Sequence, residues 1–86
     1  MNTSIKIIKV YEEIIDFIAS GTTPQSVIDF RLSEIAQERL EDLIYSSKNN
    51  ELTTEDKREL DHYLTLEHIM TLAKAKAHKL INAGAK

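Results

Sequence analysis

The chain has 86 residues, of which 29% are charged, with a formal net charge of −3 and no cysteine. This length predicts one domain with a thin core, and the lack of cysteine excludes disulfides and thiolate metal sites. No run approaches the ~20 apolar residues of a membrane span, and the first residues are too charged for a signal peptide. We therefore expect residues 1–86 to form one cytoplasmic domain without membrane partners.

The first helix is predicted over about residues 4–20. Apolar residues recur there at helical spacing, and Gly21 supplies a stop because glycine adopts the left-handed conformation without steric cost. The opening letters "SIKIIKV" are also compatible with a strand, but the pattern continues and favours a helix. The core residues predicted from this helix are Ile14, Phe17 and Ile18.

A short helical elbow is predicted next, over residues 24–30. Thr23 is a typical N-cap, and Pro24 follows at the first helical position, where its missing N–H costs nothing. The apolar residues of the elbow lie on one side. We therefore expect Phe30 to pack into the core between the first and second main helices.

The second main helix is predicted over residues 34–47. Ser33 offers an N-cap, and Glu34 in the first turn suits the helix dipole. The apolar stripe of this helix predicts three further core residues: Leu40, Leu43 and Ile44.

The last helix is predicted over about residues 54–82. Thr53 is its N-cap, and Asp56 stands where the reciprocal residue of a capping box would be. Its predicted core residues are Tyr63 and Leu66. The fold class predicted from these elements is all-α: three main helices and a short elbow, packed as a small helical bundle.

The C-terminal part of the last helix, about residues 70–86, is expected to project from the domain. A helix of this length is longer than the roughly 30 Å diameter of a compact domain of this size. A projecting apolar stripe predicts an antiparallel homodimer, with the basic end of one helix near Glu55, Asp56 and Glu59 of its mate. The predicted interface residues are Met70, Ala73, Ala77, Leu80 and Ile81.

Glu59 and His62 are the weak candidates for a metal site. They form a Glu-x-x-His pair, a spacing that di-iron carboxylate bundles use on two helices. Such sites need further ligands, and the three histidines of the last helix point in different directions. We therefore predict no metal, no cofactor and, in the absence of a catalytic motif, no enzymatic activity.

A DNA-associated regulator is the alternative from another class, because residues 23–47 could mimic a helix-turn-helix. The would-be recognition helix is acidic, however, and phosphate repulsion would oppose its entry into a groove. Residues 68–86 carry four lysines and no acid. These lysines could meet an anionic partner or only the dipole at the end of their helix.

The stretch from "FIASGTTPQSVIDF" to "LAKAKAHKL" resembles a set of small all-helical bacterial proteins that are frequent in cyanobacteria. The similar motifs are "QERLEDL" at 37–43, "LTTE" at 52–55, "ELDHYL" at 59–64 and "LEHIMTLAKAK" at 66–76. Leu32 stands where that set usually has proline. Some of its members look like antitoxin-like accessory proteins, so the resemblance implies a helical fold and a protein partner but no site residue.

Together these patterns predict a non-enzymatic helical protein that acts through protein–protein contacts, as an antitoxin-like or adaptor protein. A DNA-associated transcriptional regulator and a metal-binding helical bundle are the weaker alternatives.

Overall fold

The computed structural model describes residues 9–84 and has an all-α fold, as predicted. The four helices are α1 (Val10–Ala19), α2 (Pro24–Asp29), α3 (Glu34–Lys48) and α4 (Thr54–Gly84). The predicted elbow is therefore a helix of its own, α2. Residues 4–8, predicted as the start of the first helix, lie outside the described residues.

Three of these helices begin with a side-chain cap at the predicted residue. Thr23 and Ser26 form a reciprocal capping box at the start of α2. Ser33 and Thr53 each accept a hydrogen bond from the backbone N–H three residues further on, at 3.1 and 3.0 Å. Each cap satisfies a donor that the first turn of a helix leaves without a partner, which fixes where the helix starts.

Lys9, which was predicted to lie within the first helix, lies just before α1. Lys9 has an extended backbone (φ −66°, ψ 143°) and its side chain makes no capping bond. The backbone N–H of Val10 instead donates to the carboxylate of Glu59 at 2.9 Å. At the other end, Gly21 has φ +91°, which only glycine adopts without strain, and the helix stops as predicted.

The long helix α4 is the spine against which the other helices pack. α1 runs parallel to it: Val10 bonds Glu59 near the start of α1, and Tyr11 stacks against His62. α3 runs antiparallel to α4, because the short connection over residues 49–53 turns the chain back on itself. The fold measures 51 × 35 × 18 Å, so it is less than two helix diameters thick.

This flat shape leaves few positions fully enclosed. The buried hydrophobic residues are Val10, Ile14, Ala36, Leu43, Leu60, Met70 and Ala77. Among the predicted core residues, Ile14 and Leu43 are buried, and the half-buried ones are Phe17, Phe30, Leu40, Tyr63 and Leu66. Phe30 stacks on Phe17 with 4.6 Å between ring centroids, which links the end of α2 to α1.

Two of the predicted core residues lie at the surface. Ile18 is 47% exposed and Ile44 is 40% exposed. Their spacing matched a buried stripe, but each shorter helix is covered only on the side that meets α4 or its neighbour. The core prediction is wrong at these two residues.

The expectation that α4 projects from about residue 70 is also wrong as far as Ala77. α2 packs along the second half of α4, and Met70 and Ala77 are only 6% and 3% exposed. The ammonium of Lys74 donates to the backbone carbonyls of Val27, Ile28 and Phe30 at 2.9–3.0 Å. None of the helices described is both long and apolar enough to cross a membrane.

Candidate functional site

Glu59 is the most deeply buried charged residue among residues 9–84, with 2% of its surface exposed. Its carboxylate accepts hydrogen bonds from the N–H of Val10 and from Nη2 of Arg39, both at 2.9 Å. Arg39 also donates to Asp56 at 2.9 Å. These four residues, the Glu59 network, connect the start of α1 to α3 and α4.

The Glu59 network places one guanidinium between two carboxylates. The hydrogen bond from Glu59 raises the pKa of the Arg39 guanidinium above its usual value, desolvation opposes this rise, and Asp56 adds to it. A buried carboxylate is tolerated only when it is paired and hydrogen-bonded, and Glu59 has both kinds of partner. The network therefore explains Glu59 as a structural residue. It also occupies Asp56, which was expected to close a capping box.

The Glu59–His62 pair is engaged in packing in this arrangement. The oxygens of Glu59 face Val10 and Arg39, while the exposed ring of His62 lies edge-on to Tyr11 with 5.1 Å between centroids. Within residues 9–84, no group of three or more His, Asp or Glu side chains is placed to hold a metal ion. Both residues therefore make contacts between α4 and its neighbouring helices. Their geometry gives no support to the metal-binding alternative.

The predicted interface stripe of α4 is divided between core and surface. Met70 and Ala77 are only 6% and 3% exposed, so neither can belong to an exposed stripe that pairs with the α4 helix of a second copy. Ala73 and Ile81 are half-buried, and Leu80 is 50% exposed. The prediction of Met70 and Ala77 in a projecting α4–α4 interface is wrong, because the packing of α4 within its own chain buries them.

A different apolar surface is exposed where α1 and α4 run side by side. Ile15 and Ile18 of α1 are 44% and 47% exposed, and Ile69 and Leu72 of α4 are 47% and 58% exposed. Tyr11 and Ile15 border a shallow hollow with His62 and Leu66, so the next turn of each helix brings Ile18 near Ile69. We call these four exposed residues, Ile15, Ile18, Ile69 and Leu72, the α1–α4 face.

The α1–α4 face was not predicted from the sequence, because helical spacing does not show which apolar residues another helix covers. The signal was present in α1, where isoleucines occupy more than one side of a short helix. A helix that is apolar on two sides needs two partners, and one partner here is α4.

A groove between α3 and α4 has a volume of about 460 Å³. Its apolar lining residues are Ile14, Phe30, Leu32, Leu40, Ile44, Tyr63 and Met70, and its polar ones are Arg31, Gln37, Glu41, Glu67, Thr71 and Lys74. Burial raises the pKa of Tyr63, and the charge of Glu67 raises it further. This α3–α4 groove therefore has an apolar floor and a rim that carries two carboxylates and two cationic side chains.

The outer surface of α3 bears directly on the DNA-binding alternative. Its exposed acidic residues are Glu34, Glu38, Glu41 and Asp42, while Arg39 is held by Glu59 and Asp56. A helix with this charge would meet phosphate repulsion in a DNA groove. The geometry thus favours protein contacts over nucleic-acid contacts at α3.

The comparisons with known proteins add no relative. No family model, curated protein or solved structure matches the chain. The resemblance to small cyanobacterial helical proteins therefore stays a prediction.

Proposed function

We propose that this protein is a non-enzymatic, cytoplasmic helical module that acts through protein–protein contacts, as an adaptor or antitoxin-like protein, and that it forms a homodimer. The observation that carries the proposal is the α1–α4 face, where four large aliphatic side chains are about half exposed on neighbouring helices. Single exposed apolar residues are common on soluble proteins, whereas a contiguous group is typical of an interaction site.

A second copy is the natural occupant of the α1–α4 face. A twofold dimer buries the same patch on both chains, and a patch of aliphatic residues is complementary to itself. Burial of these side chains on association supplies the hydrophobic stabilisation that a thin 18 Å domain cannot obtain within one chain. We therefore keep the homodimer predicted from the sequence as a proposal, but with the α1–α4 face as its interface in place of the predicted stripe of α4.

Charge supports an antiparallel arrangement of the two α4 helices. If the two helices cross near Ile69, Lys76 of one copy lies close to Asp61 of the other by helix register. The acidic partners predicted from the sequence included Asp56 and Glu59, but both are occupied by Arg39. Asp61 is exposed and takes their place.

The proposal is tested by light scattering of the purified chain at ~100 μM, since dimer mass depends on concentration. We expect the dimer mass for the parent and the monomer mass for the Ile18→Asp/Ile69→Asp variant. The matched control is Ile35→Asp, which changes an isoleucine that is 80% exposed on α3, outside the face. A parent protein of monomer mass, or an Ile35→Asp variant that dissociates equally, would overturn the proposed dimer.

A further inference from the structure

We infer that the α3–α4 groove binds an amphipathic helix of a different protein, and that this helix carries lysine or arginine beside its apolar face. The inference rests on the proposed function in one respect, that the protein acts by binding proteins. It concerns a second surface, separate from the α1–α4 face.

The shape of the groove fits a helix. Two antiparallel helices flank it, and its apolar floor residues recur along them at helical spacing, Leu40 and Ile44 on α3 and Tyr63 and Met70 on α4. The segment of α4 that lines the groove, residues 63–74, is about 17 Å long, which is about three helical turns. A third helix laid along two others buries an apolar stripe with anchors at i, i+3, i+4 and i+7.

Two carboxylates without ion-pair partners, one on each helix that flanks the groove, favour a basic helix as the occupant. Glu41 on α3 and Glu67 on α4 both line the groove, and neither forms an ion pair with any residue between 9 and 84. An occupant would remove water from both carboxylates, which is costly unless it brings cations to them. Lysine or arginine beside the apolar stripe supplies those cations.

The far end of the groove sets the direction of the bound helix. Arg31 lines the groove where α2 leads into α3, and it forms no ion pair within the described residues. Lys74 lies at the same end but is already hydrogen-bonded to the carbonyls of α2. A helix C-terminus carries partial negative charge, so it is favoured beside Arg31.

The occupant is a different protein because a second copy would not produce a closed dimer. The exposed stripe of α4 (Ile69, Leu72, Lys76) has the required basic and apolar chemistry. It lies about 140–180° around the helix axis from Glu67, at 100° per residue. A stripe that filled a neighbour's groove would leave its own groove open on the opposite side, and such head-to-tail contacts generate open filaments.

The test uses three synthetic peptides of about 15 residues, which is about four helical turns. The first has a leucine stripe flanked by lysines, the second has the same stripe flanked by glutamates, and the third is a scrambled version of the first. Each is titrated into the protein carrying Ile18→Asp and Ile69→Asp, so that dimerisation plays no part. We expect the lysine peptide to bind at least about tenfold more tightly than the other two, with amide shifts centred on Ile44 and Met70.

Charge reversal separates a specific site from general attraction. The Glu41→Lys/Glu67→Lys variant should prefer the glutamate peptide. The matched control, Glu38→Lys/Asp42→Lys, changes the net charge equally at exposed residues of α3 outside the groove, and should keep the parent preference.

Three results would each overturn the inference. The first is that the control variant reverses the peptide preference as much as Glu41→Lys/Glu67→Lys does. The second is that the amide shifts map outside the groove. The third is that the lysine peptide does not bind at concentrations up to ~1 mM. These outcomes leave the homodimer untouched, and a monomeric parent protein would leave the groove untouched.

Discussion

Replacement of Glu59 by alanine should be among the most damaging substitutions of a polar residue in this fold. The change removes the acceptor of the Val10 N–H and one of the two carboxylates that hold Arg39. An orphaned buried donor costs about 1–3 kcal/mol, and breaking a buried ion pair costs about 3–5 kcal/mol. The side chain of Arg39 is 32% exposed and retains Asp56, so the lower part of the second range applies.

We therefore expect Glu59→Ala to lower the free energy of unfolding by about 3 kcal/mol. A domain of this size has a total stability of about 4–13 kcal/mol, so the loss is a large share of it. Urea unfolding followed by circular dichroism measures the difference, and the melting temperature should fall by about 12–24 °C. The amide of Val10 should also exchange its hydrogen much faster in the variant, because its acceptor is gone.

The matched control is Lys57→Ala, which removes an exposed charged side chain from the same helix. Its effect should stay within about 0.5 kcal/mol. If both variants unfold at the same urea concentration, or if the exchange rate of Val10 is unchanged, Glu59 does not hold the start of α1 and this reasoning fails.

Two further predictions concern groups that connect α4 to its neighbours. Lys74→Met removes a cation bonded to three backbone carbonyls, so it should destabilise the fold by about 1.5–3 kcal/mol in the same urea assay. Lys79→Met, at an exposed position of the same helix, should change the stability little, and equal effects of the two variants would contradict the role of Lys74. Tyr63 has a pKa raised above its usual 10.0, so its neutral form is favoured in the folded state and its contribution to stability is lost as the pH rises through and above 10. Tyr63→Phe should therefore lose less stability between neutral and alkaline pH than the parent protein does. The control is Tyr45→Phe, at an exposed tyrosine, which should behave like the parent. Identical curves of stability against pH for Tyr63→Phe and the parent would refute a raised pKa at Tyr63.

The caps were the most predictable part of this structure. Thr23, Ser33 and Thr53 act locally, through hydrogen bonds to N–H groups a few residues further along the chain. Such bonds depend on residue type and spacing, which the sequence displays directly. The start of α1 could not be found in this way, because its acceptor is Glu59, which is distant in sequence.

Core membership was less predictable than helix position. Helical periodicity placed Ile18 and Ile44 in the interior, but periodicity says only that a helix has an apolar side and not whether another helix covers it. Glu59 was read as a surface acid or weak metal ligand, since burial of its charge depends on the arrival of Arg39 from α3. Lys74 was predicted to interact with an anionic partner or with the dipole of its own helix. In the structure its ammonium donates hydrogen bonds to the backbone carbonyls at the end of α2.

The sequence by itself determined that this protein is all-α and where most of its helices begin and end. These properties follow from local hydrogen bonding, backbone preference and residue chemistry. Only the tertiary structure decided which apolar residues stay exposed, because a spine of one long helix with three shorter ones forms a flat assembly. That shape creates the α1–α4 face and the α3–α4 groove, and it buries the residues that a projecting α4 would have offered to a partner.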